Sequence, residues 1–192
     1  MTRWQPGATE RLVVAAVDLF TEQGYDATTV AQIAARAGVT KSTFFRHFSD
    51  KRELLVAGQE TLSTLLADGI SEAPASASPL AAVAAGLARA ASAMGPMNRE
   101  LGPRLKAAVA ASTALQERDA LKSVGLAAAM TAALVARGVP DPIAPLAAEL
   151  GVLAFKRGYA QWSEGDRNDT KGLAPHALAA LEELRTATTT LG

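Results

Sequence analysis

Between Arg36 and Arg52 the chain carries five basic residues, Arg36, Lys41, Arg46, Lys51 and Arg52, against a single acid, Asp50. Interleaved with them are the polar side chains of Thr40, Ser42, Thr43 and His47 and the rings of Phe44, Phe45 and Phe48. Cations that neutralise phosphates, set among short side chains that reach base edges, supply the chemistry that binding to double-stranded DNA needs. The formal net charge of zero does not argue against this, because the charge is unevenly placed: residues 141–192 hold five basic and seven acidic residues. Catalytic chemistry is much harder to assemble. His47 and His176 lie far apart, cysteine is absent, and no Gly-x-Ser-x-Gly, Glu-x-x-His, P-loop or dinucleotide pattern occurs. No enzyme activity, cofactor or metal is therefore expected, and disulfides are excluded.

The elements that must position this cluster read as helices. Hydrophobic residues make up 49% of the chain, with alanine the commonest and only five Phe, two Trp and two Tyr, so the composition favours an all-α fold. Pro6 and Thr9 open a segment with Leu12, Val13, Ala16, Leu19 and Phe20 at helical spacing, closed by Gly24. Thr29 with Gln32 forms a capping box for a short second helix that stops at Gly38, and Thr40 caps a third. Asp50 with Glu53 is expected to start a fourth, running to about residue 70 through Leu54, Leu55, Leu62, Leu65 and Leu66. An Ala/Ser/Pro-rich stretch over 71–79 is the candidate boundary between an N-terminal domain, 1–56, and a C-terminal domain, 71–192, with the fourth helix connecting them. Beyond it the pattern gives helices over about 80–94, from 104, over 113–137, from Asp141-Pro142 to about 163, and over 173–189. The stretch 95–103 is broken by Gly and Pro, and no strand or internal repeat is visible.

Three short helices with a Gly-containing turn between the second and third describe a helix-turn-helix unit. Gly38 can adopt the positive φ of the turn, Ala34 and Ala37 allow close approach, and Ile33, Val39 and Phe44 supply a buried wedge. The run Leu19-Phe20, Gly24-Tyr25, Thr28-Thr29-Val30, Ile33-Ala34, Ala37-Gly38-Val39, Lys41, Phe44-Phe45-Arg46-His47-Phe48, Lys51 and Leu54-Leu55 resembles the DNA-binding domain of the tetracycline-repressor (TetR) family. The resemblance covers about a quarter of the chain. It implies an N-terminal helix-turn-helix domain, a C-terminal helical domain for ligand binding and dimerisation, and a repressor that leaves a palindromic operator when a small molecule binds. It implies DNA contacts from Thr29, Gln32, Thr40, Lys41, Ser42, Thr43, Phe45, Arg46, His47 and Lys51. Phe45 departs from the family's usual tyrosine, which removes a hydroxyl contact to phosphate and shifts weight to Arg46. For His47, packing behind the third helix is the competing role, and Arg3 is a candidate for an arm reaching DNA or for ordinary terminal disorder.

A dimer is expected, since one helix-turn-helix makes few contacts and paired recognition helices enter successive major grooves about 34–36 Å apart. Ala147, Gly151, Ala154 and Gly158 form a small-residue stripe on one helix face, suited to close helix approach across a dimer or within the chain. Leu173, Leu178, Leu181 and Leu184 are the candidates from the last helix. The effector pocket that the resemblance implies would draw on Met94, Met97, Met130, Phe155, Tyr159, Trp162 and His176 and take a mostly apolar molecule, although each of these residues can equally be core. Charges interrupt the Ala-rich runs, so a soluble cytoplasmic protein without a membrane partner is expected. The alternative function is a helical protein–protein adaptor, or an activator without a small-molecule effector.

Overall fold

A computed structural model describes residues 7–166 and 170–191, and every regular element among them is helical. The order is α1 (Ala8–Gln23), α2 (Val30–Arg36), α3 (Lys41–His47), a 3₁₀ turn (Glu53–Val56), α4 (Gln59–Ser71), α5 (Pro79–Ser92), α6 (Pro96–Ala110), α7 (Thr113–Ala136), α8 (Ile143–Glu164) and α9 (Leu173–Thr190). The chain divides into two compact units, one of Met1–Ala57 with Pro103–Leu121 and one of Gly58–Gly102 with Lys122–Gly192. The segment 71–79 joins α4 to α5 inside the second unit. Pro6 and Arg3 lie outside the described residues.

The first unit is held by local signals at its helix ends and by one apolar cluster. Leu12, Ala16, Phe20, Ile33, Ala34, Phe44 and Phe48 are buried together, joined by Ala108 and Leu115 from the α6–α7 corner. That corner is also tied by two partly buried ion pairs, Arg104 with Asp18 and Arg118 with Glu53. The expected fourth helix does not start at Asp50. The Asp50 carboxylate instead accepts the backbone N–H groups of Arg52 and Glu53, a turn leads into the 3₁₀ segment, and α4 begins after Gly58, whose φ is +76°.

The second unit is an apolar bundle in which α4 packs on α5, α8 packs on α9, and α5 meets both α8 and α9. Leu66, Ile70, Val83, Leu87, Met130, Leu134, Ala154 and Leu173 are essentially inaccessible to solvent. The stretch 95–103, expected as broken, lies within α6, with Pro103 inside the helix. Gly102 suits a helix there because a Cβ at this position would meet the Ser163 side chain at 2.7 Å and the Tyr159 ring at 3.1 Å. At the other end of the unit the Asp141–Pro142 bond is cis and α8 starts one residue later. By length and composition α7 is apolar enough to cross a bilayer, contrary to the sequence expectation, although Leu126, Met130 and Leu134 on it are buried in the core.

The small-residue stripe is not a dimer face. Ala147, Gly151, Ala154 and Gly158 are all buried within the single chain. A Cβ on Gly151 would lie 2.4 Å from the Met130 methyl group, and one on Gly158 would lie 2.5 Å from the Ala177 backbone of α9. Close approach was the correct inference from the glycines, but the partners are α5, α7 and α9 of the same chain. Leu173 and Leu181 likewise belong to this core, Leu184 packs against it, and Leu178 is partly exposed.

Candidate nucleic-acid interface

The presentation of α3 begins with the end of α2. Thr29 is extended (φ −106°, ψ 153°); its hydroxyl accepts the Gln32 N–H at 3.3 Å, and the Gln32 side-chain oxygen accepts the Thr29 N–H at 2.8 Å. Both members of the box are therefore engaged in starting α2. At its other end Val39 N–H donates to Ala34 O at 2.9 Å and Gly38 N–H to Ala35 O at 3.1 Å, the double bond pattern of a Schellman cap. Gly38 takes the required left-handed φ of +67° with nothing within 4 Å of its missing Cβ. Arg11 reinforces the turn by donating from Nε to Ala37 O at 3.1 Å.

Thr40 then caps α3, accepting the Thr43 N–H at 3.1 Å. Phe44 and Phe48 face inward at 0% and 7% exposure, with ring centroids 5.7 Å apart. Their burial fixes the roll of the helix and turns Lys41, Ser42, Phe45 and Arg46 outward, all exposed. Thr43 is half-buried, and Thr40 and His47 are exposed; His47 Nδ1 lies 3.3 Å from the Thr9 hydroxyl, which ties it to α1 without burying it. Phe45 is 55% exposed and meets Phe44 edge-on at 5.4 Å.

The five clustered cations are not equivalent. Arg36 makes a two-pronged pair with Glu22, both contacts 2.8 Å, and Arg52 pairs with Asp50 at 2.7 Å. Lys51 Nζ donates to Tyr25 O at 2.6 Å and Thr28 O at 2.8 Å and sits 4.0 Å over the Tyr25 ring. Burial pushes this ammonium below the usual lysine range, with Asp26 acting in the opposite direction. Burial also raises the Tyr25 phenol. Lys51 thus stitches the α1–α2 loop to the segment after α3 with two of its three N–H donors. Among the described residues Lys41 and Arg46 make no ion pair, and both stand on the outward face of α3.

The residues expected to line an effector pocket divide between places in the second unit. Phe155, Tyr159 and Trp162 form a ladder along α8, with ring centroids 6.3 and 5.8 Å apart. Both polar handles there are engaged with backbone: the Tyr159 hydroxyl donates to Asn98 O at 2.6 Å and Trp162 Nε1 to Lys171 O at 3.2 Å. Burial and that setting push the Tyr159 phenol up to about 12. Met130 packs at Gly151, one helical turn before Phe155, in the same apolar cluster. Met94 packs on the core, while Met97 and His176 are half-buried. Five of the seven thus belong to one apolar cluster, three of them as the ladder, and the polar groups of Tyr159 and Trp162 are bonded to the backbone of α6 and of the segment before α9.

Sequence reasoning missed two features that bear on function. Attachment of the α6–α7 corner to the helix-turn-helix unit depends on Asp18 with Arg104, 86 residues apart, for which no local pattern exists. The second is an exposed apolar row on α8, with Ile143 at 47%, Leu146 at 60% and Leu153 at 45% exposure and Leu150 half-buried. Its spacing of three, four and three was available in the sequence, on the helix flank about a quarter turn from the small residues.

Residues 12–57 match the model of bacterial regulatory proteins, tetR family. The HTH-type transcriptional repressor Rv3405c of Mycobacterium tuberculosis is 45% identical over 65 residues, 33% of this chain and 35% of that protein. The HTH-type transcriptional activator FasR of Mycolicibacterium smegmatis is 38% identical over 63 residues, 33% of this chain and 29% of that protein. The matches span about a third of the length of these curated relatives. A TetR-family transcriptional regulator from Syntrophomonas wolfei has the same fold, with a TM-score of 0.60 over 95% of each chain at 18% identity. Over residues 12–57 the chain is therefore similar to bacterial regulatory proteins of the tetR family.

Proposed function

We propose, from that similarity and from the exposed face of α3, that the chain is a DNA-binding transcriptional regulator that acts in the cytoplasm as a repressor and grips a palindromic operator as a dimer. The observation that carries this reading is the outward face of α3, where Lys41 and Arg46 stand exposed and without ion pairs among the described residues, while the three other cations of the cluster are engaged internally. A free guanidinium on a recognition helix can bind a guanine through O6 and N7, and a free ammonium adds phosphate attraction. Thr29, Gln32, Thr40, Ser42, Thr43 and His47 are proposed as supporting contacts around that face. Lys51 is assigned to holding the unit together.

The dimer is proposed to form through the exposed row on α8, Ile143, Leu146, Leu150 and Leu153, with Leu178 of the adjoining α9. Four apolar side chains on one helix stripe are a self-complementary surface once a second copy is related by a two-fold axis. Release of DNA by a small, mostly apolar effector is proposed for the second unit, whose core includes Met130, Phe155 and Trp162. Activation has a specific observation in its favour as well, because FasR, among the matched relatives, is an activator.

Selection from a random DNA pool tests the reading as a whole. Enrichment of an inverted repeat with half-sites about one helical turn apart is expected. On that site Lys41→Ala and Arg46→Ala are each expected to weaken binding, Arg46→Ala with loss of discrimination at one base pair worth about 1–3 kcal/mol. Leu146→Asp with Leu153→Asp is expected to sediment as a monomer and lose the palindromic site. A pool that never enriches a sequence removes the proposal.

A further inference from the structure

Phe45 is a large apolar side chain left 55% exposed on a helix whose other outward residues, Lys41, Ser42 and Arg46, are polar or charged. The interior has no use for it, since Phe44 and Phe48 already fill the space beneath α3. Its ring is nevertheless held in place, edge-on to Phe44 at 5.4 Å with the planes 82° apart. Because one χ1/χ2 arrangement is propped by a buried neighbour, little side-chain entropy remains to be lost on binding. Lys41 lies one helical turn before it, Ser42 three residues before it, and Arg46 directly after it. Ser42, Phe45 and Arg46 thus stand within one helical turn on the outward face of α3.

Resting on the DNA-binding reading above, we propose that Phe45 reads a thymine in each half-site through its C5 methyl group. In the major groove guanine, adenine and cytosine are marked by hydrogen-bond donors and acceptors, and the C5 methyl of thymine is the one methyl group there. A phenyl ring offers no hydrogen bond, so any other base at that position would leave it against unsatisfied polar edges. The contact therefore discriminates by shape and desolvation, beside the hydrogen bonds made by Arg46. The main competitor is packing of the ring on deoxyribose, which would carry no sequence information.

Replacing thymine by deoxyuridine removes that methyl and leaves the pairing edge intact. Once an operator has been selected with the full chain, each thymine is replaced in turn and binding is measured by fluorescence anisotropy. Burial of one methyl predicts a loss of about fourfold at one symmetry-related position, and about fifteenfold when both half-sites are changed. Phe45→Ala, at an exposed helix site where circular dichroism should stay native, is expected to bind thymine and uracil operators equally. A second readout does not depend on the variant's affinity. With 5-iododeoxyuridine at the sensitive position, irradiation should cross-link the iodinated base to the peptide containing Phe45. Affinity that ignores every uracil replacement overturns the proposal while leaving DNA binding intact. Uracil sensitivity that persists in Phe45→Ala, or a cross-link to another residue, also overturns it. Failure to select any operator removes the DNA-binding reading and this proposal with it.

Discussion

The two units reach order by different physics. In the helix-turn-helix unit the elements are short, seven residues each for α2 and α3, and their limits are set by groups within a few positions: the Thr29–Gln32 box, the Gly38 turn and the Thr40 cap. In the second unit the helices reach 22 residues in α8, and what places them is contact between surfaces distant in sequence, such as Gly158 on Ala177 and Gly151 on Met130 and Val83. Glycine shows the difference most directly. Gly38 is needed for its backbone angle and has empty space where a side chain would go, whereas Gly158 has ordinary helical backbone and no space at all. The first kind of constraint exposes a chosen set of side chains to a ligand outside the protein. The second hides everything it specifies.

The largest expected effect separates these two kinds. Gly158→Ala places a methyl 2.5 Å from the Ala177 backbone, which cannot move without shifting α9. Overpacking of this sort costs about 1–3 kcal/mol, equivalent to a drop in Tm of roughly 3–10 °C in a chain of this size. Thermal unfolding followed by circular dichroism measures it, and an unchanged Tm would show that the α8–α9 crossing is looser than described. Gly38→Ala should cost less, about 1 kcal/mol, from the left-handed backbone alone. The sharper test is asparagine at both sites. Asn tolerates a left-handed φ, so Gly38→Asn should recover most of what Gly38→Ala loses, in stability and in operator binding. Gly158→Asn should be worse than Gly158→Ala. If asparagine helped or harmed both sites alike, the distinction between conformational and packing glycines would fail.

The same division decides what could be read from the sequence. Thr29, Gln32, Gly38 and Thr40 were legible because each acts on neighbours within a few residues, and the burial of Ile33, Ala34 and Phe44 followed from them. The stripe Ala147, Gly151, Ala154 and Gly158 was legible as a surface of close approach, but not its partner, since a spacing of small residues does not say which helix fills it. The assignment to a dimer was wrong for that reason, and the exposed apolar row on the neighbouring flank of α8 was overlooked. Gly102-Pro103 was read as a break because both residues weaken helices. The close packing of Ser163 and Tyr159 against Gly102 outweighs that weakness. Lys51 was expected among the DNA contacts through the family resemblance, which says nothing of its surroundings in this chain. Only the fold shows two carbonyls and a ring surrounding its ammonium.

The smallest effect expected at neutral pH belongs to Tyr159, and its dependence on pH carries the information. Tyr159→Phe keeps the ring in the ladder with Phe155 and Trp162 and removes only the hydrogen bond to Asn98 O, a loss of about 1 kcal/mol. In the folded chain burial raises the phenol from its ordinary value of 10.0 to about 12. A raised folded-state pKa means that the folded chain holds this proton more tightly than the unfolded one. The corresponding stability is complete below about pH 10 and is lost as the pH climbs through about 12. Urea unfolding of the wild type should therefore show the midpoint falling across that window, with a smaller fall for Tyr159→Phe. Because the group sits among packed side chains of the second unit and not at a capped helix end, the alkaline loss tests packing order specifically. Equal slopes for the two proteins would mean that the phenol is hydrated, and that the C-terminal half of α8 is less tightly closed than the crossing at Gly158.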